Sequence, residues 1–302
     1  MIEGMSIDDA TPRPAPWPAQ PIERPRVLIL GAGDRPYVRE AVARLTPDIA
    51  KTAEIVLSDL EYEADLASVE ADLAIVFGGD GTILRTAKAM GEHQLPVLGV
   101  NLGKLGFLAA IKPDELLSVL PQICRGECQI VSHLMFRASI VRNGEVQQQH
   151  LGLNVAAIMA GPPVSMLDID LYIDAELATT YSCDGLIIST PVGSTAHSLS
   201  AGGPILRKNV QAFVISPISP HTLTVRPLVD TADRVYEMVC HRPNEGTSVV
   251  VDGRVLGRLA SDDRVRVQRD RATFKMIEVP GHSYYRTLRE KLGWSGRLDQ
   301  AR

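Results

Sequence analysis

Cysteine is scarce in this chain: Cys124, Cys128, Cys183 and Cys240 are the only four in 302 residues. So few exclude the dense disulfide framework of a small secreted scaffold, and Cys124/Cys128 lacks the second pair that a structural zinc site uses. They are expected as reduced thiols in or beside the core. Long apolar runs are missing too. No stretch approaches the roughly 18 residues that span a bilayer, and the N-terminus lacks a basic start followed by an apolar segment. The expected location is the cytoplasm, away from membranes. A basic excess is also absent, with a formal charge of -5 and a pI near 5.8. Nothing general therefore attracts nucleic acid or an anionic bilayer, and an anionic ligand needs local help. Two nucleotide-binding loops fail as well. Gly31-Ala32-Gly33 runs into Asp34-Arg35-Pro36 without the third glycine of the dinucleotide fingerprint, and no Gly-x-x-x-x-Gly-Lys-Ser/Thr segment exists.

What is present is a chain with 45% hydrophobic residues, long enough to bury a sizeable core in one large domain or two ordinary ones. Residues 1–24 carry Pro12, Pro14, Pro16, Pro18 and Pro21 with few apolar anchors, and read as a disordered Pro-rich tail. From residue 25 the pattern becomes strand, turn, helix. Val27–Leu30 leads into Gly31, and Leu73–Phe77 is apolar at consecutive positions, as in a parallel strand covered on both faces. Residues 25–123 are thus expected to form an α/β domain with a largely parallel sheet, whose ligands sit beyond the carboxyl ends of its strands. From about residue 124 the period shortens to two. Asn143-Gly144 and Asp252-Gly253 mark tight hairpins, and Leu167, Ile169, Leu171 and Ile173 alternate with polar residues. Residues 124–274 are expected as a mostly antiparallel all-β domain. The stretch Tyr284–Leu292 returns to helical spacing, and 275–302 is expected to complete the first domain.

Two constellations carry chemistry. Gly78-Gly79-Asp80-Gly81-Thr82 sets a carboxylate between a buried strand and a helix, where glycines permit close approach of phosphate to backbone N–H groups. Asp80 is placed to orient a hydroxyl and accept its proton during phosphoryl transfer. Arg85 lies one helical turn further on, within reach of a phosphate. The second constellation runs from Asp184 to Pro204, an apolar strand entering a segment rich in Ser, Thr and Gly. Thr195, Ser198 and Ser200 offer small donors and acceptors suited to amide and ribose groups.

Together with Asn101–Leu108, Pro217–His221 and Val251-Asp252-Gly253, these blocks resemble NAD kinases in order and spacing from Arg26 to Trp294. The resemblance implies phosphorylation of the adenosine ribose 2′-hydroxyl of NAD by ATP or polyphosphate. It also implies a divalent metal, with magnesium expected, and a homodimer or homotetramer. Carried over by motif, Asp80 is the proton acceptor and Gly81 its neighbour at the dinucleotide. Asn154 falls on the family's Asn-Glu/Asp position and Asp184 on its nicotinamide-side carboxylate. Thr195, Ala196, His197, Ser198, Leu199 and Ser200 fall on the family's adenosine-binding loop. Four positions depart from the pattern. Val155 replaces an acid, Val192 a threonine, His197 a tyrosine and Arg254 a glutamine. His197 keeps a flat stacking face and Arg254 a donor, but Val155 cannot hydrogen-bond a hydroxyl. Two alternatives follow: a lipid or sugar kinase of the same superfamily, which the 195–200 segment disfavours, and an NAD(P)-binding sensor weakened through Val155, which Asp80 disfavours.

Overall fold

The computed structural model describes residues 15–103, 106–109, 111–162, 166–222, 224–281 and 284–293. Its contacts divide into two compact units, one of residues 15–132 with 275–293 and one of 133–274. The chain crosses between them inside two long strands rather than in linkers.

The first unit opens with β1 (Ala15–Trp17), β2 (Arg26–Gly31), α1 (Pro36–Thr52), β3 (Glu54–Asp59), β4 (Leu73–Phe77), α2 (Asp80–Met90), β5 (Val97–Val100) and α3 (Pro113–Cys124). It then enters β6 (Cys128–Arg142). Neighbours β3-β2-β4-β5 run parallel, and Met276 of the returning chain pairs with Val97 in the same sense. All five residues of β4 are buried, which explains its unbroken apolar run. The buried stripe Val38, Ala41, Val42, Leu45 and Ile49 of α1 packs into the same core as Leu116, Val119, Leu120 and Ile123 of α3. The chain leaves β2 for β3 on one side and returns to β4 on the other. The sheet therefore has its topological switch point where β2 and β4 end, the place open α/β sheets use for ligands.

The second unit takes up β6 and adds β7 (Glu145–Gly152), β8 (Val155–Met159), β9 (Leu167–Ile173), β10 (Glu176–Cys183), β11 (Gly185–Ser189), α4 (His197–Ser200) and β12 (Ala212–Ile218). It continues with β13 (Leu228–Thr231), β14 (Tyr236–Cys240), β15 (Ser248–Val251), β16 (Arg254–Arg258) and β17 (Arg264–Glu278). One antiparallel sheet has the order β13-β12-β11-β8-β15-β16, and the strands β10-β9-β14-β17 form another antiparallel run. Their inner faces share a core containing Ile158, Leu186, Ile188, Leu167, Ile169 and Met238. Phe213 meets Phe136 and Tyr236 edge to face, with ring centres 6.4 and 5.6 Å apart. Asn143-Gly144 and Asp252-Gly253 turn their hairpins with positive φ at both residues, as those dipeptides favour.

The fold is the expected one: an α/β unit with a parallel sheet, an antiparallel β unit, and helix α5 (Tyr284–Leu292) back in the first unit with Leu288 buried. Two features differ from the sequence expectation. Residues 15–17 of the Pro-rich segment form β1, antiparallel to Cys128–Ile130, and the Ile22 N–H bonds the Cys124 carbonyl at 2.9 Å, so this end of the segment is tied down. Residues 1–14 lie outside the described residues. The units also divide at residues 132/133 rather than 124, because β6 belongs to both. All four cysteines are free, and burial pushes the Cys128 and Cys183 thiols up to about 11.

Candidate functional site

In the first unit, β4 delivers the chain to Gly78, whose φ of 152° and whose contact with Thr82 exclude a side chain: a Cβ there would lie 2.3 Å from Oγ1 of Thr82. Gly79 then caps α2, and Asp80 is its first residue, at the positive end of the helix dipole. The carboxylate of Asp80 does not hang free. Oδ2 accepts the N–H of Phe107 at 2.8 Å, and Oδ1 accepts those of Leu108 at 2.9 Å and Ala109 at 3.3 Å. Asp80 is half-buried, and Gly81 beside it is exposed. Within the Asn101–Leu108 block, residues 104 and 105 lie outside the described residues.

Arg85 is held from the next turn. Its guanidinium donates to the Glu61 carbonyl at 2.7 Å and stacks 4.2 Å above the Tyr62 ring, while the Tyr62 hydroxyl bonds Thr86 Oγ1 at 2.6 Å. This loop is itself fixed by Asp59, which accepts the N–H groups of Glu61, Tyr62 and Ala64 at 2.7–2.9 Å. Burial pulls the Asp59 carboxyl up, but these N–H donors outweigh it and hold the group below its ordinary value. Gly33 packs against the same loop, its N–H bonded to the Leu60 carbonyl at 3.0 Å and its carbonyl to Arg39 Nε at 2.6 Å, and the turn after Gly31 is closed by the Arg35 N–H on the Ala32 carbonyl at 3.1 Å.

The second unit carries the other residues. Asp252, in the turn between β15 and β16, accepts the N–H groups of Leu153 at 2.7 Å and of Asn154 and Val155 at 2.8 Å each. Asn154 thereby sits in a rigid turn, and its Oδ1 is buried without a hydrogen-bond partner. Val155 is 6% exposed and packs with Ala157 and Ile187. β11, buried at every position, ends at Ser189, and a short 3-10 turn over Gly193–Thr195 precedes α4. Residues 193–200 are thus two short helical turns where the sequence led us to expect a loop. His197 and Ser200 are exposed, while Thr195, Ala196 and Leu199 are half-buried. Ser198 is fully buried, and its hydroxyl bonds that of Ser216 at 3.0 Å, so it fastens the turn to β12. Thr195 Oγ1 donates to the Val192 carbonyl at 3.2 Å. Asp184 is fixed by its N–H on the Ile218 carbonyl at 2.9 Å, and His221 Nε2 stands 4.0 Å from its Oδ1.

Asp80, Gly81 and Arg85 thus share α2 after β4, with Asp80 turned to residues 107–109 and Arg85 to residues 61 and 62, while Asn154, Asp184 and residues 195–200 belong to the other unit. Sequence reasoning missed the clamping role of Asp252. Its place in an Asp-Gly hairpin turn was readable, but its partners lie 97–99 residues earlier, beyond any local pattern. It also missed Phe107–Ala109 as partners of Asp80, which no local pattern announces. Among the described residues, no group of three or more His, Cys, Asp or Glu is placed to hold a metal ion.

Residues 38–128 match the family model of the ATP-NAD kinase N-terminal domain, and residues 153–279 that of the ATP-NAD kinase C-terminal domain. The chain is 58% identical over 274 residues to an NAD kinase of Rhodopirellula baltica, covering 91% of this chain and 88% of the relative. It is 38% identical over 228 residues to an NAD kinase of Geotalea daltonii, covering 76% and 80%. Among solved structures, yeast NADH kinase complexed with NADH superposes with a TM-score of 0.81 at 23% identity, covering 94% of this chain and 91% of that one. An Archaeoglobus fulgidus NAD kinase in complex with ATP gives 0.66 at 24% identity, covering 89% and 97%. Fold, paired domain matches and close relatives agree, and the chain belongs to the NAD kinase family.

Proposed function

We propose that this protein transfers the terminal phosphoryl group of ATP to the adenosine ribose 2′-hydroxyl of NAD, yielding NADP and ADP. The observation that carries the reading is the clamped carboxylate of Asp80 at the start of α2. Three backbone N–H groups occupy three of the roughly four acceptor positions of a carboxylate, which leaves about one, in a fixed direction, for a substrate hydroxyl. As the ribose oxygen bonds the terminal phosphorus and the bond to the departing ADP oxygen breaks, the hydroxyl proton passes to Asp80. A loose transition state makes that proton acidic late, so alignment counts for more than basicity. The N-terminus of α2, with Gly81 exposed beside Asp80, offers dipole and N–H groups to phosphate. Arg85 adds a cation whose position Glu61 and Tyr62 fix.

The dinucleotide is assigned to the second unit. Asn154 supplies an amide whose buried oxygen lacks a partner and suits a ribose hydroxyl. Asp184 accepts from the nicotinamide carboxamide, and the exposed ring of His197 stacks on the adenine. Thr195, Ala196, Leu199 and Ser200 line the base. Ser198 contributes through the turn it fastens, and Val155 through its packing on Ala157 and Ile187. Magnesium arrives with ATP. Polyphosphate as a second donor, a cytoplasmic location and a homodimer or homotetramer complete the reading; no helix among the described residues is long and apolar enough to cross a membrane.

The test is direct. Purified protein is incubated with NAD, ATP and magnesium, and NADP is detected with an NADP-specific dehydrogenase. NADP formation is expected, and its absence with either ATP or polyphosphate contradicts the proposal.

A further inference from the structure

We propose that Gly106 is a positioning residue for phosphoryl transfer, its missing side chain being the seat of the Asp80 carboxylate. The inference rests on the reading of Asp80 as proton acceptor. A Cβ built on Gly106 meets three atoms of that one carboxyl first: Oδ1 at 2.2 Å, Cγ at 2.9 Å and Oδ2 at 3.3 Å. Real Cβ atoms do not approach so closely, so either the carboxylate or the loop must move. Backbone conformation is not the reason for a glycine here, because its φ lies outside the left-handed region, unlike that of Gly78. Space is the reason.

The next three residues, Phe107, Leu108 and Ala109, donate the N–H groups that hold the carboxylate. Gly106 thus opens the space and its successors fill it with donors aimed at Asp80. A methyl group at 106 displaces the carboxylate from all three donors at once, while Asp80 remains in the chain. Gly103 provides the contrast within the same loop: a Cβ there meets nothing within 4 Å.

The experiment compares Gly106→Ala, Gly103→Ala, Asp80→Ala and the double variant Asp80→Ala/Gly106→Ala, each measured for kcat, KM for NAD and melting temperature. Gly106→Ala is expected to lower kcat by about 10²-fold, the scale of a displacement of about 1 Å, with KM for NAD nearly unchanged. Gly103→Ala is expected to match the natural protein. In the Asp80→Ala background the obstructing carboxyl is gone, so adding Gly106→Ala is expected to change neither kcat nor melting temperature. Should Gly106→Ala alone fail to fold, the double variant is expected to fold. Natural kcat in Gly106→Ala, an equal further loss in the Asp80→Ala background, or failure of the double variant to fold would each overturn the proposal. Absence of NADP from the natural protein instead defeats the functional reading, and the melting comparison still decides whether Gly106 seats the carboxylate.

Discussion

Asp252 takes the N–H of Asn154 onto its carboxylate at 2.8 Å, joining the β15–β16 hairpin to the turn before β8. The same carboxylate holds the N–H groups of Leu153 and Val155, and the Asp252 N–H returns a bond to the Val155 carbonyl at 2.9 Å. Asn154 is therefore presented by a turn whose donors are met by one side chain. Asp252→Asn keeps one acceptor oxygen and turns an NH2 group toward N–H donors. The expected cost is about 1–3 kcal/mol of stability, the penalty for buried donors left unmet. KM for NAD should rise with little change in kcat, because Asp252 acts through the binding turn rather than the reacting atoms. Urea unfolding and steady-state kinetics check both; unchanged stability removes the clamp from the account.

The His197 ring is exposed on α4 and is assigned a stacking face. His197→Ala is expected to weaken NAD binding by about 0.5–1.5 kcal/mol, the scale of an aromatic contact, while His197→Tyr preserves or improves it. Titration calorimetry with NAD measures the difference. Full affinity in the alanine variant ends the stacking role.

Val155 lies 6% exposed beside Ala157 and Ile187. A valine so packed makes no use of a hydroxyl partner, and a carboxylate in its place needs one. Val155→Glu is expected to lower stability by about 2 kcal/mol or more without tightening NAD binding, as burial of an unpaired charge demands. If the variant instead melts normally and binds NAD more tightly, the side chain at 155 reaches the ligand and the natural protein is weakened there.

Much of this arrangement was legible in the chain. Leu73–Phe77 has the unbroken apolar run expected of a doubly covered strand, Asn143-Gly144 and Asp252-Gly253 are turn pairs by their tolerance of positive φ, and Asp80 follows a strand and opens a helix. What was hidden depends on distance along the chain. The donors to Asp80 come from residues 27–29 positions later, and those to Asp252 from residues 97–99 positions earlier. Short-range pattern has no access to such partners. The prolines of residues 15–24 suggested a loose tail because Pro cannot donate to a ladder, yet β1 at an edge tolerates it. Ser198 had the composition of a ligand contact, and only its burial against Ser216 shows what its hydroxyl does.

His133 supplies a pH test of the fold. The ring is 1% exposed, Nδ1 faces the Lys208 carbonyl at 3.4 Å, and Nε2 has no partner. Burial, aided by the Lys208 charge, pushes its pKa down to about 3. The unfolded chain takes up the proton near pH 6.5 and the folded chain does not. Its contribution is therefore intact above pH 6.5 and is lost as pH falls toward 3, by at most about 1.4 kcal/mol per pH unit. His241, raised by Asp262 and Asp170, acts in the opposite direction, but it is exposed and screened. Urea midpoints between pH 7.5 and 5 should fall less steeply in His133→Leu than in the natural protein; equal slopes show that His133 does not carry this dependence.

The central claim is that the clamped carboxylate of Asp80 serves phosphoryl transfer, and Asp80→Asn tests it most directly. NADP formation is followed at saturating NAD and ATP for the natural protein and the variant at equal folded concentration. The natural protein is expected to form NADP, and the variant to turn over about 10² times more slowly or worse while still binding NAD, since it loses a proton acceptor and one arm of its backbone clamp. Turnover by Asp80→Asn close to that of the natural protein would contradict the account.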